Sequence, residues 1–214
     1  MPRKKIEFYK KHPHLRYFIY NNALSILTFD IHKKFNLNYY KVKKSFKVFE
    51  RNMRKNSFID HGYYSSLIVM KWYHNLIKIT QWNPAYFYYP IVDIASAILL
   101  HNYYKNCLMK PPVKLGKHKV DQHPISYLLI LCDELQDWYR EGYGVLDCSK
   151  AMPIDFKINI SENELKINYE FNYEGDYNKY NIDRYNAINN VLEISDIFEN
   201  GIFITSSDNF AKVK

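Results

Sequence analysis

The sequence predicts a mainly α fold: a helical bundle of about five or six helices carrying a small C-terminal β-hairpin or sheet. Three observations predict it. Apolar residues recur at helical spacing in stretch after stretch before residue 141. Proline, glycine and polar clusters fall between those stretches. After Met152 the apolar period changes to two.

Residues 15–36 set Leu15, Phe18, Ile19, Ala23, Ile26, Leu27, Ile31 and Phe35 on a helical stripe. Residues 39–54 are basic and aromatic, and Phe46, Phe49 and Met53 give a second helix that Asn56-Ser57 ends. Residues 61–79 read as a long amphipathic helix. Residues 81–90 read as a loop with Pro84 and Pro90 as breakers. Its aromatic cluster (Trp82, Tyr86, Phe87, Tyr88, Tyr89) suits a hydrophobic lid, an interface or a platform for a base. Residues 91–104 are apolar almost all round, which predicts a helix deep in the bundle. A Lys-rich loop over 105–124 follows. Residues 125–140 predict another helix, with Pro124 in its first turn and Gly142 and Gly144 at its end. Phe156, Ile158 and Ile160, then Leu165, Ile167 and Tyr169, alternate with polar residues around Glu162-Asn163, a β-hairpin pattern. A helix over 185–198 and a short strand over 202–205 complete the expectation.

The organisation follows: a basic helical segment (1–57) packed on the bundle, a core (58–150) and an α+β appendage (151–214). With 47% hydrophobic and 24% charged residues, the composition is that of a globular protein and excludes wholesale disorder. No run of 18 apolar residues exists, so no spanning helix is expected. There is no apolar h-region after the basic N-terminus, so no secretory signal is expected. Cys107, Cys132 and Cys148 form no CxxC pair, which argues against a disulfide framework or a Cys-rich zinc site and for a cytoplasmic location. Cys132 reads as an inert core thiol.

The net charge of +8 is unevenly placed. Residues 1–57 carry 15 Lys and Arg against 3 Asp and Glu, residues 58–149 carry 8 against 8, and residues 150–214 carry 7 against 11. The basic N-terminal segment is a candidate electrostatic footprint for a nucleotide or nucleic acid. The same richness in Lys, Asn, Ile and Tyr also arises from base-composition bias in coding DNA.

Three polar residues sit where apolar ones are expected. His61 opens the helix over 61–79. His101 closes the most apolar helix at i+7 from Ile94 and i+3 from Ile98, which places it on the same inward stripe. Asp133 follows Leu-Leu-Ile-Leu-Cys, where a carboxylate is costly unless it is paired or binds a metal. Two histidines and an aspartate suit Mn²⁺, Fe²⁺, Co²⁺, Ni²⁺, Zn²⁺ or Mg²⁺. Plainer roles are open too: His61 packing at a helix start, His101 bonded to a backbone carbonyl, Asp133 paired with Arg140 or a tyrosine hydroxyl. Asp60 is an N-cap candidate. Asp137, one helical turn after Asp133, is either part of a solvated edge with Glu134 or a base within reach of the site. His118 and His123, with Lys117 and Lys119, lie in the loop before this helix, either solvated or contacting a substrate phosphate. No GxSxG, GxxxxGK[ST] or GxGxxG pattern competes.

The words Asp60-His61-Gly62, Ala-Ile-Leu-Leu-His101-Asn102 and Leu-Cys-Asp133-Glu-Leu-Gln-Asp137-Trp138 resemble the His … His-Asp … Asp motif of the HD superfamily of metal-dependent phosphohydrolases. The resemblance spans residues 57–141 and is similar to a bacterial subgroup with DHG, LHN and CDELQ(D/E)W words. It implies an HD-type helical bundle, a divalent metal held by His61, His101 and Asp133, and hydrolysis of a nucleotide or nucleic-acid phosphoester. Some families of this type use histidines of the loop that here holds His118 and His123 to bind a second metal or protonate a leaving group, and many form homodimers. With Lys117 and Lys119, which could neutralise a substrate phosphate, these are the candidate substrate contacts, and Asp137, one turn from Asp133, could join it in catalysis. Where the family has a second aspartate this chain has Asn102, a neutral ligand and a poorer bridge between two ions. That departure favours one metal over two, and it sets beside the enzyme a degenerate domain that binds nucleotide, nucleic acid or protein without turnover.

Overall fold

The computed structural model describes residues 13–80, 85–136, 153–171 and 177–208. It is mainly helical, with a three-stranded sheet near the C-terminal end. The chain divides into two compact units, Met1–Ile130 and Leu131–Lys214. No helix among the described residues is long and apolar enough to cross a membrane.

The first unit contains α1 (Pro13–Lys34), α2 (Tyr39–Lys55), α3 (His61–Ile79), α4 (Ala85–Tyr103), a π-helical turn (Tyr104–Leu108) and the start of α5 (Pro124–Leu135). Asn38 starts α2 by accepting the amides of Tyr40 and Lys41 at 3.0 and 3.2 Å. The predicted stripe is the buried one: α2 hides Val42, Ser45, Phe46, Phe49 and Met53. Phe46 stacks on Tyr103 with ring centres 4.4 Å apart, and Phe49 meets Tyr63 edge-on at 5.9 Å. Each fully buried phenyl ring contributes roughly 2–3 kcal/mol of transfer free energy. Ser45 and the Tyr103 hydroxyl bond to each other, and burial raises the Tyr103 phenol well above its usual pKa. Thus α2 rests on Tyr63 and Tyr103, two residues after His61 and two after His101.

One expected boundary moves. Pro90 does not end a loop; α4 begins at Ala85 and runs through it. The missing amide removes one helical bond. Burial of Val92, Ala95, Ala97, Leu99 and Leu100 along the rest of the helix outweighs that loss.

The second unit holds the last turn of α5, β1 (Asp155–Ile160), β2 (Glu164–Phe171), α6 (Asn178–Asn189), a 3₁₀ turn (Ile194–Asp196) and β3 (Gly201–Asp208). Strands β1 and β2 form the expected antiparallel hairpin, with Ile158 opposite Ile167 and Ile160 opposite Leu165. β3 joins the other edge of β2 in parallel, Leu165 beside Ile202 and Ile167 beside Ile204. The helix expected over 185–198 lies earlier and ends at Asn189. Val191, Leu192, Ile194 and Phe198 are instead buried in a turn segment. Two side chains satisfy orphan carbonyls at the end of α5. The Tyr169 hydroxyl donates to the Leu135 carbonyl at 2.9 Å, and Arg184 Nη1 donates to the Glu134 carbonyl at 2.8 Å.

Cys132 is exposed, contrary to its expected core position. It follows Ile125 and Leu128 on the outer face of α5, while Ile130, Leu131 and Leu135 face inward. Cys107 is the buried thiol, and burial pushes its pKa up to about 12. Cys148, Gly142 and Gly144 lie outside the described residues.

Candidate metal centre

Two of the expected ligands meet. Asp60 is the N-cap of α3; its Oδ1 accepts the Tyr63 amide at 2.7 Å, which places His61 on the first helical residue. His101 ends the long apolar stretch of α4, but its stripe does not face inward as expected: Ile94 is exposed and Ile98 and His101 are half-buried, at the rim of the bundle, because Val92, Ala95, Leu99 and Leu100 take the inward face. The two imidazoles face each other with Nε2 to Nε2 at 2.9 Å.

The backbone decides the tautomer of His101. Its Nδ1 lies 2.5 Å from the Ile98 carbonyl, which can only accept, so Nδ1 carries the proton and Nε2 offers a lone pair. This is the second contact that metal-binding histidines require to hold their orientation. The spacing also fits: two imidazole nitrogens bound at about 2.1 Å to one ion, at a right angle, lie about 3 Å apart. His61 is exposed, so the pair is open to solvent on one side. Gly62 makes the approach feasible, because a Cβ there would lie 2.5 Å from Cε1 of His101 and 2.6 Å from the Ile98 oxygen.

Asn102 is half-buried beside His101. Asp133 is half-buried on the part of α5 that belongs to the second unit. Asp137 lies outside the described residues, as does Trp82 of the aromatic cluster.

The expectation of a solvated loop around His118 and His123 is corrected. Both imidazoles are completely buried. His118 stacks on Tyr104 with ring centres 4.6 Å apart and bonds Ser126 Oγ through Nε2 at 2.6 Å. Burial, then the neighbouring His123, pushes its pKa down to about 4. His123 caps α5: its Nδ1 accepts the Ser126 amide at 3.3 Å. Of the loop groups expected to meet a phosphate, Lys119 is exposed and Lys117 half-buried.

A second group emerges that sequence reasoning missed except for His123. Ligand atoms of Asp30 (α1), Asp93 (α4) and His123 lie within 4.8 Å of one another, the one such group of three among the described residues. Ser96 donates to Asp30 Oδ2 at 2.6 Å, and Lys34 donates to Asp93. The His123 Nε2 has no hydrogen-bond partner and lies 3.9 Å from Asp93 Oδ1. These donors could hold a metal ion, but two features oppose one. The Lys34 ammonium already balances Asp93. Because Nδ1 accepts the helix cap, the proton of the neutral ring sits on Nε2 and points a donor, not a lone pair, at the carboxylates. Lys34 offsets the charge of Asp93 without an ion, while the buried His123 Nε2 keeps no hydrogen-bond partner.

In comparisons with known proteins, no family model, no curated protein and no solved structure matches this chain.

Proposed function

We propose that the chain is an HD-like metal-dependent phosphohydrolase acting on a nucleotide or nucleic-acid phosphoester. The observation that carries this reading is the His61–His101 pair: two Nε2 atoms 2.9 Å apart at a solvent-open edge, one with its tautomer set by a carbonyl. When bound, a divalent ion supplies an acidified water and positive charge at a phosphoryl oxygen. The protein's own residues supply position. Asp60 fixes where α3 starts, Gly62 lets α3 approach α4, and the Ile98 carbonyl aims the His101 ring. The resemblance adds Asp133 as a carboxylate ligand; Asp137, one helical turn further on, would serve as a base, Asn102 would complete or orient the ligand set, and Lys119 would stabilise the negative charge developing on the phosphoryl oxygens.

Asn102 favours a second reading, in which the domain binds without turnover. A neutral amide where the motif has a carboxylate weakens the hold on a cation and on a bridging solvent.

Elemental analysis of protein purified without a histidine tag tests the main reading, alongside His101→Ala and Asp133→Ala. About one transition-metal ion per chain, lost in both variants, is the expected result. No retained metal after reconstitution with Mn²⁺, Fe²⁺, Co²⁺, Ni²⁺ or Zn²⁺ overturns it. Hydrolysis of bis(p-nitrophenyl) phosphate by Asn102→Asp, absent in the natural protein, selects the second reading.

A further inference from the structure

We propose that the outer face of α2 is a binding surface for single-stranded nucleic acid, with Lys41, Lys44, Lys47, Arg51 and Lys55 tracking the phosphates and Tyr40 stacking on a base. The binding is independent of the metal. Only the strand's role as substrate rests on the phosphohydrolase reading.

The charge comes first. α2 carries seven Lys and Arg (41, 43, 44, 47, 51, 54 and 55) against one acid, Glu50. All seven are exposed. Glu50 accepts from the Tyr63 hydroxyl at 2.5 Å and pairs with Arg54 at 3.8 Å, so it is occupied. Among the described residues no carboxylate pairs with Lys41, Lys43, Lys44, Lys47, Arg51 or Lys55. A helix face with this much unbalanced charge is costly unless a polyanion shares it.

Their arrangement comes second. Tyr40, Lys44, Lys47, Arg51 and Lys55 follow one another by three or four residues, which lines them along one side of the helix. From Lys44 to Lys55 this stripe runs about 16 Å. At its start Tyr40 is 76% exposed, a ring with no core to join. Basic groups interleaved with an exposed aromatic are the elements of sequence-tolerant single-strand binding. Beside the stripe, Lys43 and Lys47 also line a cavity with Ser25, Thr28 and Tyr39, although Leu24, Phe46 and the Glu50 carboxylate share its wall.

A bilayer fits less well. The apolar face of α2 is already spent, because Val42, Phe46, Phe49 and Met53 are buried inside the unit. Nothing apolar on the stripe except Tyr40 remains to enter lipid.

The test is fluorescence anisotropy of a labelled 20-nucleotide single strand, titrated with the full chain in EDTA over a series of NaCl concentrations. Excluding metal keeps this result separate from the fate of the metal reading. Five phosphate contacts predict a slope of log K against log salt of about −3.5. The triple variant K44Q/K47Q/R51Q, all exposed positions, is expected to retain its helical circular dichroism, to bind at least tenfold more weakly at 0.1 M NaCl, and to flatten the slope by about 2. Tyr40→Ala is expected to weaken binding about tenfold with the slope unchanged. The proposal is overturned by no binding at 50 mM NaCl, by equal affinity of the folded triple variant, or by capture of the chain on phosphatidylserine vesicles with no oligonucleotide binding.

Discussion

Gly62 and His101 touch so closely that position 62 admits no side chain: a methyl carbon there would stand 2.5 Å from Cε1 of the imidazole. The contact couples the start of α3 to the end of α4, the two places where the candidate ligands sit. Gly62→Ala is therefore expected to cost about 1–3 kcal/mol through overpacking. It should also part the two Nε2 atoms and weaken metal affinity by more than tenfold. Thermal denaturation and metal titration read the two effects separately. An unchanged melting temperature would refute the contact.

Acid should destabilise the protein within a defined window. The folded-state pKa of His118 is pushed from 6.5 to about 4 by burial and then by His123. Between those values the unfolded chain binds a proton that the folded chain refuses, so stability is full above pH 6.5 and falls until about pH 4. The loss from this residue is at most about 3 kcal/mol. His123 is shifted in the same direction, by burial first and then by Lys34, and adds to the trend. Urea denaturation from pH 7.5 to 4.5 measures it. His118→Phe keeps a ring against Tyr104 without a titrating group, and its profile should be flatter than that of the natural protein. Parallel profiles would show that His118 does not stay neutral in the fold.

The end of α5 should fray when its carbonyl partners are removed. Tyr169→Phe removes the donor to the Leu135 carbonyl and Arg184→Ala the donor to the Glu134 carbonyl. Each is expected to cost about 1 kcal/mol and to speed amide exchange in that turn. Protection left intact in both variants would mean that solvent satisfies these carbonyls equally well.

Local signals carried most of the architecture. The helix over 61–79 was legible because its apolar period and its Asp60 cap both lie within the segment. The hairpin was legible for the same reason, since its two period-two runs flank one turn. The short strand over 202–205 was legible too, but its parallel pairing with β2 was not, because Ile202 lies far along the chain from Leu165. His61 and His101 were singled out because polar residues interrupted apolar faces. Asp30 and Asp93 passed unnoticed because an acid on a helix edge looks the same whether it meets water or a distant histidine. His118 and His123 sat among lysines and prolines, where composition suggests exposure. Only stacking on Tyr104 and capping of α5 reveal why they are inside.

The parallel pairing of β2 and β3 bears on how the chain is made. During translation β1 and β2 leave the ribosome together and can close their hairpin within microseconds. The far edge of β2 then waits for β3, whose Ile202 follows Leu165 by 37 residues. At ordinary elongation rates that wait is roughly 2–7 seconds. Throughout it, Leu165, Ile167, Tyr169 and Phe171 present an open strand edge to every other nascent chain nearby. A stop codon before Gly201 would make that interval permanent, so a truncated product should collect in inclusion bodies rather than merely lose a strand.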